Sequence, residues 1–297
     1  MNRKLLKGHL LALFTTMIWG TTFISSKLML SVIHPVELIV FRFTLAWMAL
    51  FLCSPKPMLP KSLKDELPFM GAGLCGLTLY FMFENTGLSH TQASNAGIIV
   101  STAPMFTALF LRAFRRIDKL RPTFFIGFIM AMSGIVLLNL SKGQGIDLNP
   151  LGNFLILMAA LTWGTYGVFL SYLQAGEYNN FQITRKVFFW GLVFTLPITW
   201  FTNLDFSLGR LFSSPVLWGN LLYLSLGASA VCYMTWNKAV EILGPVSTSL
   251  YIYLIPVITL TASALILGEP VTPVCIGAIA LILPGLWLSQ RQPRDIT

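Results

Sequence analysis

Seven ionisable side chains sit inside or at the ends of long apolar runs: Lys27, Glu37, Arg42 and Glu84 in the first half of the chain, Arg185, Lys186 and Lys238 in the second. An ionisable group inside an apolar helix costs several kcal/mol unless it lines a polar path or pairs with another such group. For Lys27, Glu37 and Lys238 the simplest reading is a long side chain reaching the water interface from a helix end. Arg42 is different. It stands seven residues inside its run, roughly 10 Å deep at about 1.5 Å per residue, and needs a partner. Glu84 or Glu37, at similar depth, can supply one. Three readings stay open for Arg42: a structural ion pair, a contact with a transported solute or a gate, and a run whose boundary lies elsewhere.

Near mid-depth the runs carry rings and hydroxyls, namely Trp19, Tyr80, Trp163, Tyr166, Tyr233 and Tyr253, accompanied by Ser101, Thr102 and Ser229. Aromatic faces bind apolar or cationic groups and hydroxyls orient polar ones, so a site built from these suits an amphipathic solute. The rival for each residue taken singly is packing, or anchoring at the membrane interface. Pro104 and Pro256 lie near the centres of two runs. Each lacks an amide hydrogen and so releases the carbonyl four residues earlier, of Val100 and Ile252, and each marks a place where a helix can bend. A plain packing kink is the competing reading. Small residues, Ala93, Ala96, Gly97 and Gly244, allow helices to approach closely.

Other chemistry finds no support. The chain lacks a phosphate-cradling glycine loop, an HExxH pair and an Asp-x-x-Asp metal motif, and His9, His34 and His90 stand apart at helix ends. Cys53, Cys75, Cys232 and Cys275 are scattered singly, which suits small core residues better than metal or redox sites. No cofactor or metal is expected.

The elements that must position these residues follow from composition. Of 297 residues, 55% are hydrophobic and only 10% charged, where a soluble domain runs about 25% charged. The polar surface that would wrap a water-soluble core is missing, so the solvent is lipid. The formal charge of +9 comes from Lys and Arg in short clusters between apolar runs, without the basic stripe that tracks nucleic-acid phosphates. Nucleic acid is not an expected partner. The basic start followed by an apolar run resembles a signal peptide, but the run continues to about Leu28 with no Ala-x-Ala site, and it reads as a first span.

A spanning helix needs about 20 mainly apolar residues. Ten such runs occur, over residues 8–28, 35–53, 67–87, 93–111, 122–140, 151–172, 181–201, 216–238, 246–267 and 272–289. They stay apolar at both odd and even positions, which excludes barrel strands. With the N-terminus cytoplasmic, thirteen Lys and Arg fall on the inner side and three on the outer side or at an outer helix end. The positive-inside rule therefore places both termini in the cytoplasm. The sequence also repeats. At an offset of 152, Met82 falls on Met234, Asn85 on Asn237 and Pro104 on Pro256; at 144, Trp19-Gly20-Thr21 falls on Trp163-Gly164-Thr165. Halves of residues 1–146 and 147–297 would carry five spans each, and an odd number inverts the second copy in the membrane. The expected fold is an all-α membrane protein with ten transmembrane helices as two inverted five-helix repeats.

The residues resemble those of the drug/metabolite transporter superfamily, in its EamA-type branch of ten spans and two EamA repeats. The likeness covers nearly the whole chain. It rests on Trp19-Gly20-Thr21, Phe41-Arg42-Phe43, the run from Gly87 to Ala96 leading to Ala103-Pro104-Met105-Phe106, then Trp163-Gly164-Thr165, Asn237-Lys238-Ala239, Leu254-Ile255-Pro256 and Leu267-Gly268-Glu269-Pro270. One departure stands out: the family's Gly-Glu after the fourth span is replaced by Arg115-Arg116-Ile117-Asp118, which puts a symmetric pair of glutamates in doubt. The resemblance implies a secondary transporter of small metabolites, commonly amino acids and related compounds, and export more often than uptake. The expectation is an inner-membrane exporter moving a small-molecule substrate across the lipid bilayer by alternating access, as a monomer or a homodimer, and not an enzyme. Uptake or exchange of an anionic metabolite such as a nucleotide sugar is the rival, with Arg185 and Lys186 as its support. A membrane-embedded enzyme or lipid-handling protein would need an acidic or metal motif that the chain does not have.

Overall fold

The computed structural model describes residues 3–55, 62–91, 93–117, 119–140, 149–176, 178–202, 214–258 and 272–290, together with Met58, Leu204, Gly209, Leu260 and Thr261. Among these residues the structure is helical throughout. Helix α1 spans Arg3–Leu30 and α2 Pro35–Cys53. Helix α3 runs through Leu63–His90, α4 is the pair Ala93–Val100 and Ala103–Ala113, and α5 is Pro122–Leu140. The second half gives α6 over Pro150–Gln174, α7 over Asn180–Thr195 with a 3-10 turn to Phe201, α8 over Pro215–Leu243, α9 over Pro245–Ile258 and α10 over Pro273–Ser289. Among the described residues each of the ten runs expected from hydropathy carries a helix, the ninth as far as Ile258. The helices α2, α3, α4, α6 and α8 are each long and apolar enough to cross a bilayer.

The differences in boundary have local causes. Helix α1 is already formed at Arg3, before the apolar run, because Lys and Arg are good helix formers. Helix α4, read as one run with Pro104 marking a place where it can bend, is interrupted by a turn at Ser101 and Thr102, just before that proline. Residues 259 and 262–267 of the run at 246–267, the Leu267-Gly268-Glu269-Pro270 motif, Asp118, and Lys56, Lys61, Lys142, Arg210, Arg291 and Arg294 lie outside the described residues, as does the division at 146/147. Cys232 and Cys275 are buried as expected, whereas Cys75 is half-buried and Cys53, at the end of α2, is exposed.

The packing of the halves is that of an inverted repeat. Helix α1 lies along α8, and its repeat mate α6 lies along α3. Helix α2 packs on α8, and its mate α7 packs on α3; α2 also meets α7, and α5 pairs with α10, each with its own mate. Local detail follows the same rule. Helices α2 and α7 both begin with a capping box, His34 with Glu37 and Asn179 with Gln182, in which each side chain answers the other's backbone amide. Helices α3 and α8 both carry a π-helical stretch, at Leu74–Leu79 and Tyr223–Val231. The repeated Trp-Gly pair acquires a physical meaning here. At Gly20 a Cβ would meet Ile258 Cγ2 of α9 at 2.8 Å, and at Gly164 it would meet the Phe106 backbone of α4 at 2.9 Å. Both glycines let helices approach closely, Gly164 against the α4 backbone and Gly20 against the Ile258 side chain, as small residues do inside membranes.

Candidate functional site

Between the halves lies a narrow cavity of about 40 Å³. From α1 it takes Trp19, Thr22 and Phe23, from α2 Arg42, and from α3 Tyr80, Phe81 and Glu84. Trp163 of α6 and Tyr233 of α8 close it from the other half, with Val100 of α4 and Ile252 and Ile255 of α9 between them. Both repeats contribute, through the helices that an inverted pair places around its axis.

The aromatic wall is one connected cluster. The rings of Trp19 and Trp163 meet edge to face at 5.3 Å, Trp163 leans on Tyr80 at 5.1 Å, and Trp19 lies 5.9 Å from Tyr233. Behind them Trp236 packs on Trp19 at 4.9 Å and Tyr166 on Trp163 at 5.2 Å. The polar tips of Trp19, Tyr233 and Tyr166 are anchored. Trp19 Nε1 donates to the Ala228 carbonyl at 2.9 Å and Tyr233 OH to the Gly76 carbonyl at 2.8 Å. Both carbonyls belong to the π-helical stretches of α8 and α3. A π-turn shifts the helical bond from i+4 to i+5 and so disturbs the ladder where the two rings dock. Tyr166 OH donates to Asn237 Oδ1 at 2.6 Å, while Asn237 Nδ2 donates to Thr184 Oγ1 at 3.0 Å.

Two opposite charges enter this apolar setting. Arg42, 2% exposed, donates from Nε to Ser229 Oγ of α8 at 2.6 Å and lays its guanidinium over the Phe81 ring at 4.3 Å. Glu84, 7% exposed, accepts the Tyr80 hydroxyl on Oε1 at 3.0 Å. Among the described residues the two are not joined as a direct ion pair. The terminal nitrogens of Arg42 and Oε2 of Glu84 take no protein partner there, and both side chains border the cavity. Of the three readings open for Arg42, the direct pair with Glu84 is thus absent. Glu37 is also absent as a partner, since its carboxylate accepts the His34 backbone amide at 3.2 Å as part of the α2 cap.

The structure brings six of the sequence candidates to the cavity: Trp19, Arg42, Tyr80, Glu84, Trp163 and Tyr233. Tyr166 stands one layer behind. Ser101 and Tyr253 are elsewhere. Ser101 is fully buried and donates to the Gly97 carbonyl of its own helix at 2.7 Å. Tyr253 packs in a second apolar cluster with Val246, Leu250 and Ala278. Pro104 and Pro256 do not line the cavity, but each follows a break in its helix, the turn at Ser101 and Thr102 and the 3-10 stretch Leu250–Leu254. Val100 and Ile252, the residues four before them, both reach the wall. The carbonyl of Ile252 is not released to the cavity, because the 3-10 turn gives it the amide of Ile255. Sequence reasoning passed over Thr22, Phe23 and Phe81.

The remaining charges are placed outside the cavity. Lys27 donates to the Thr91 carbonyl at 3.3 Å, and Lys238 pairs with Glu241 one turn away at 2.5 Å. Lys186 pairs with Glu66, whose other oxygen accepts Trp190 Nε1 at 3.0 Å, and Arg185 donates to the Ser54 carbonyl. Arg185 and Lys186 border a separate crevice between α2, α3 and α7. Arg116, standing where the first repeat departs from its family pattern, ties α4 to α6 through two bonds to Ser171, at 3.0 and 2.8 Å.

Apolar helices in an inverted ten-helix arrangement, with an aromatic cavity between the halves, define a multi-pass membrane transporter. The EamA-like transporter family matches residues 6–140 and 150–290, one domain on each repeat, and the chain belongs to that family. Similar proteins include an uncharacterized transporter of Archaeoglobus fulgidus, 28% identical over 96% of this chain and 98% of its own. A protein of Streptantibioticus cattleyicolor named "Probable terminal-alkyne amino-acid exporter" is 25% identical over 97% of this chain and 95% of its own. A solved crystal structure superposes with a TM-score of 0.73 at 19% identity, covering 95% of this chain and 96% of the other, which shows the shared fold.

Proposed function

We propose that the protein exports amino acids or related small amphipathic metabolites by alternating access through the cavity between its repeats. It does so in the cytoplasmic membrane, with both termini in the cytoplasm. The observation that carries this reading is the cavity itself: a wall of Trp19, Trp163, Tyr80 and Tyr233 contributed by both halves, holding Arg42 and Glu84 as its charged groups. In this state the cavity is narrow, about 40 Å³, below the roughly 300 to 1,000 Å³ of small-molecule sites, so the halves must move apart to admit a substrate, as alternating access requires. The name of the Streptantibioticus relative and the family's lean toward export support the substrate class and the direction. The rival, uptake of an anionic metabolite, drew on Arg185 and Lys186. Both are engaged by other groups at a distance from this cavity.

Growth under overload of single amino acids tests the reading, comparing cells that lack the protein, cells that carry it and cells that carry Trp163→Ala. Protection by the parent protein against at least one amino acid, and its loss in the variant, is the expected result. Equal sensitivity of all three strains to every amino acid overturns it.

A further inference from the structure

We infer that Arg42 and Glu84 form a two-ended clamp for the charged head of an α-amino acid, so that the protein selects zwitterions with an apolar side chain. The inference rests on the transport reading above and narrows it. Its basis is an arrangement that a structural role does not explain. Two opposite charges face one buried cavity, and the protein holds them apart instead of closing them on each other. Each is fixed by a neutral neighbour, Arg42 through Nε to Ser229 and Glu84 through Oε1 to Tyr80. What remains on each side is open bonding capacity: the paired Nη donors of a guanidinium, whose fork matches a carboxylate, and one carboxylate oxygen, which suits an ammonium.

A solute with both signs on adjacent atoms answers both ends at once. A carboxylate alone would satisfy Arg42 and leave Glu84 unpaired beside a like charge. An amine alone would satisfy Glu84 and leave Arg42 stranded. Either failure leaves a buried charge without a partner, the situation that binding sites discriminate against most strongly. The rest of the wall, Thr22 apart, is aromatic and aliphatic, with Trp19, Trp163, Ile252 and Ile255 facing the same space, so the substrate's side chain is apolar.

The test uses the purified full chain in lipid nanodiscs. Binding is measured by competition against radiolabelled L-phenylalanine, L-leucine, L-methionine and L-tryptophan, each with its decarboxylated amine and its deaminated acid. In the parent, at least one amino acid should bind at least tenfold more tightly than both its amine and its acid. Glu84→Gln should bring the acid within about threefold of the amino acid while the amine stays weak, and Arg42→Gln should do the reverse; these crossed changes are not what a merely structural role would produce. If Arg42→Gln does not fold, Arg42→Lys replaces it and Glu84→Gln still decides. The clamp is overturned if no amino acid binds, if the parent takes the amine or the acid as well as the amino acid, or if Glu84→Gln discriminates as the parent does. Zwitterion binding with the crossed pattern but no protection in the growth assay would sink the export reading and keep the clamp. Protection with unchanged discrimination would do the opposite.

Discussion

The indole rings of Trp19 and Trp163 meet edge to face with 5.3 Å between centroids, although each belongs to a different half of the chain. They are the same position of the two repeats, 144 residues apart. An edge-to-face pair directs the positive rim of one ring at the negative face of the other, and here that contact is a seam where the halves touch beside the cavity. Replacing either residue by Ala should weaken substrate recognition by roughly 1 to 3 kcal/mol, the scale of one buried large side chain. Trp19→Ala should also lower thermal stability, since it removes the bond to the Ala228 carbonyl. Transport kinetics and melting of the inserted variants check both. Unchanged kinetics in both variants would reduce the pair to packing.

The glycine beside each tryptophan gives a graded expectation. At Gly164 an added methyl meets backbone atoms, Phe106 C at 2.9 Å and Thr107 N at 3.0 Å; at Gly20 it meets the side chain of Ile258 at 2.8 Å; at Gly97 it meets nothing within 4 Å. Backbone gives way less readily than a side chain. Gly164→Ala should therefore cost most, on the order of 1 to 3 kcal/mol for overpacking, Gly20→Ala less, and Gly97→Ala little. Melting of the three variants in one detergent reads the order, and equal melting points would contradict it.

Much of this was legible in the sequence because lipid imposes a simple rule. Each span must be a helix of about 20 apolar residues, so hydropathy found all ten, and the rarity of charge inside a span singled out Arg42 and Glu84. What lipid also does is erase the contrast between inside and outside. Trp200 and Phe23 are equally apolar, yet one is 85% and the other 6% exposed, and composition does not say which faces a cavity. For the same reason Ser101 and Tyr253, chosen by depth, sit away from the cavity, while Phe81 went unnoticed although Arg42 rests on it. The π-helical stretches of α3 and α8 carry no signal in residue type.

Asn85 and Asn237 are repeat mates with opposite circumstances. Asn237 bonds Tyr166 and Thr184 and is fully buried. Asn85 is equally buried, and among the described residues its side-chain amide has no partner. Truncating Asn237 strands the Tyr166 hydroxyl, so Asn237→Ala should cost about 1 to 3 kcal/mol. Asn85→Ala removes two unpaired polar atoms and should shift melting far less. A larger loss at Asn85 would mean that its amide holds something the protein itself does not supply.

Lys186 and Glu66 provide the sharpest contrast between a buried and a surface ion pair. Their side chains are 10% and 7% exposed, whereas those of Lys238 and Glu241 are 38% and 32% exposed. Removing one member of a buried pair leaves an uncompensated charge and costs about 3 to 5 kcal/mol; removing one of an exposed pair costs about 0 to 1 kcal/mol. Lys186→Met should thus destabilise the protein much more than Lys238→Met. The second substitution identifies the cause. Adding Glu66→Gln to Lys186→Met removes the stranded charge but keeps an acceptor for Trp190 Nε1, which Glu66 serves at 3.0 Å, so the double variant should recover most of the loss. Melting of the parent, Lys186→Met, Glu66→Gln and the double variant measures the coupling directly, with Lys238→Met as the exposed comparison. If the double variant melts as low as Lys186→Met alone, the lysine's methylene packing, and not its charge, holds α7 to α3.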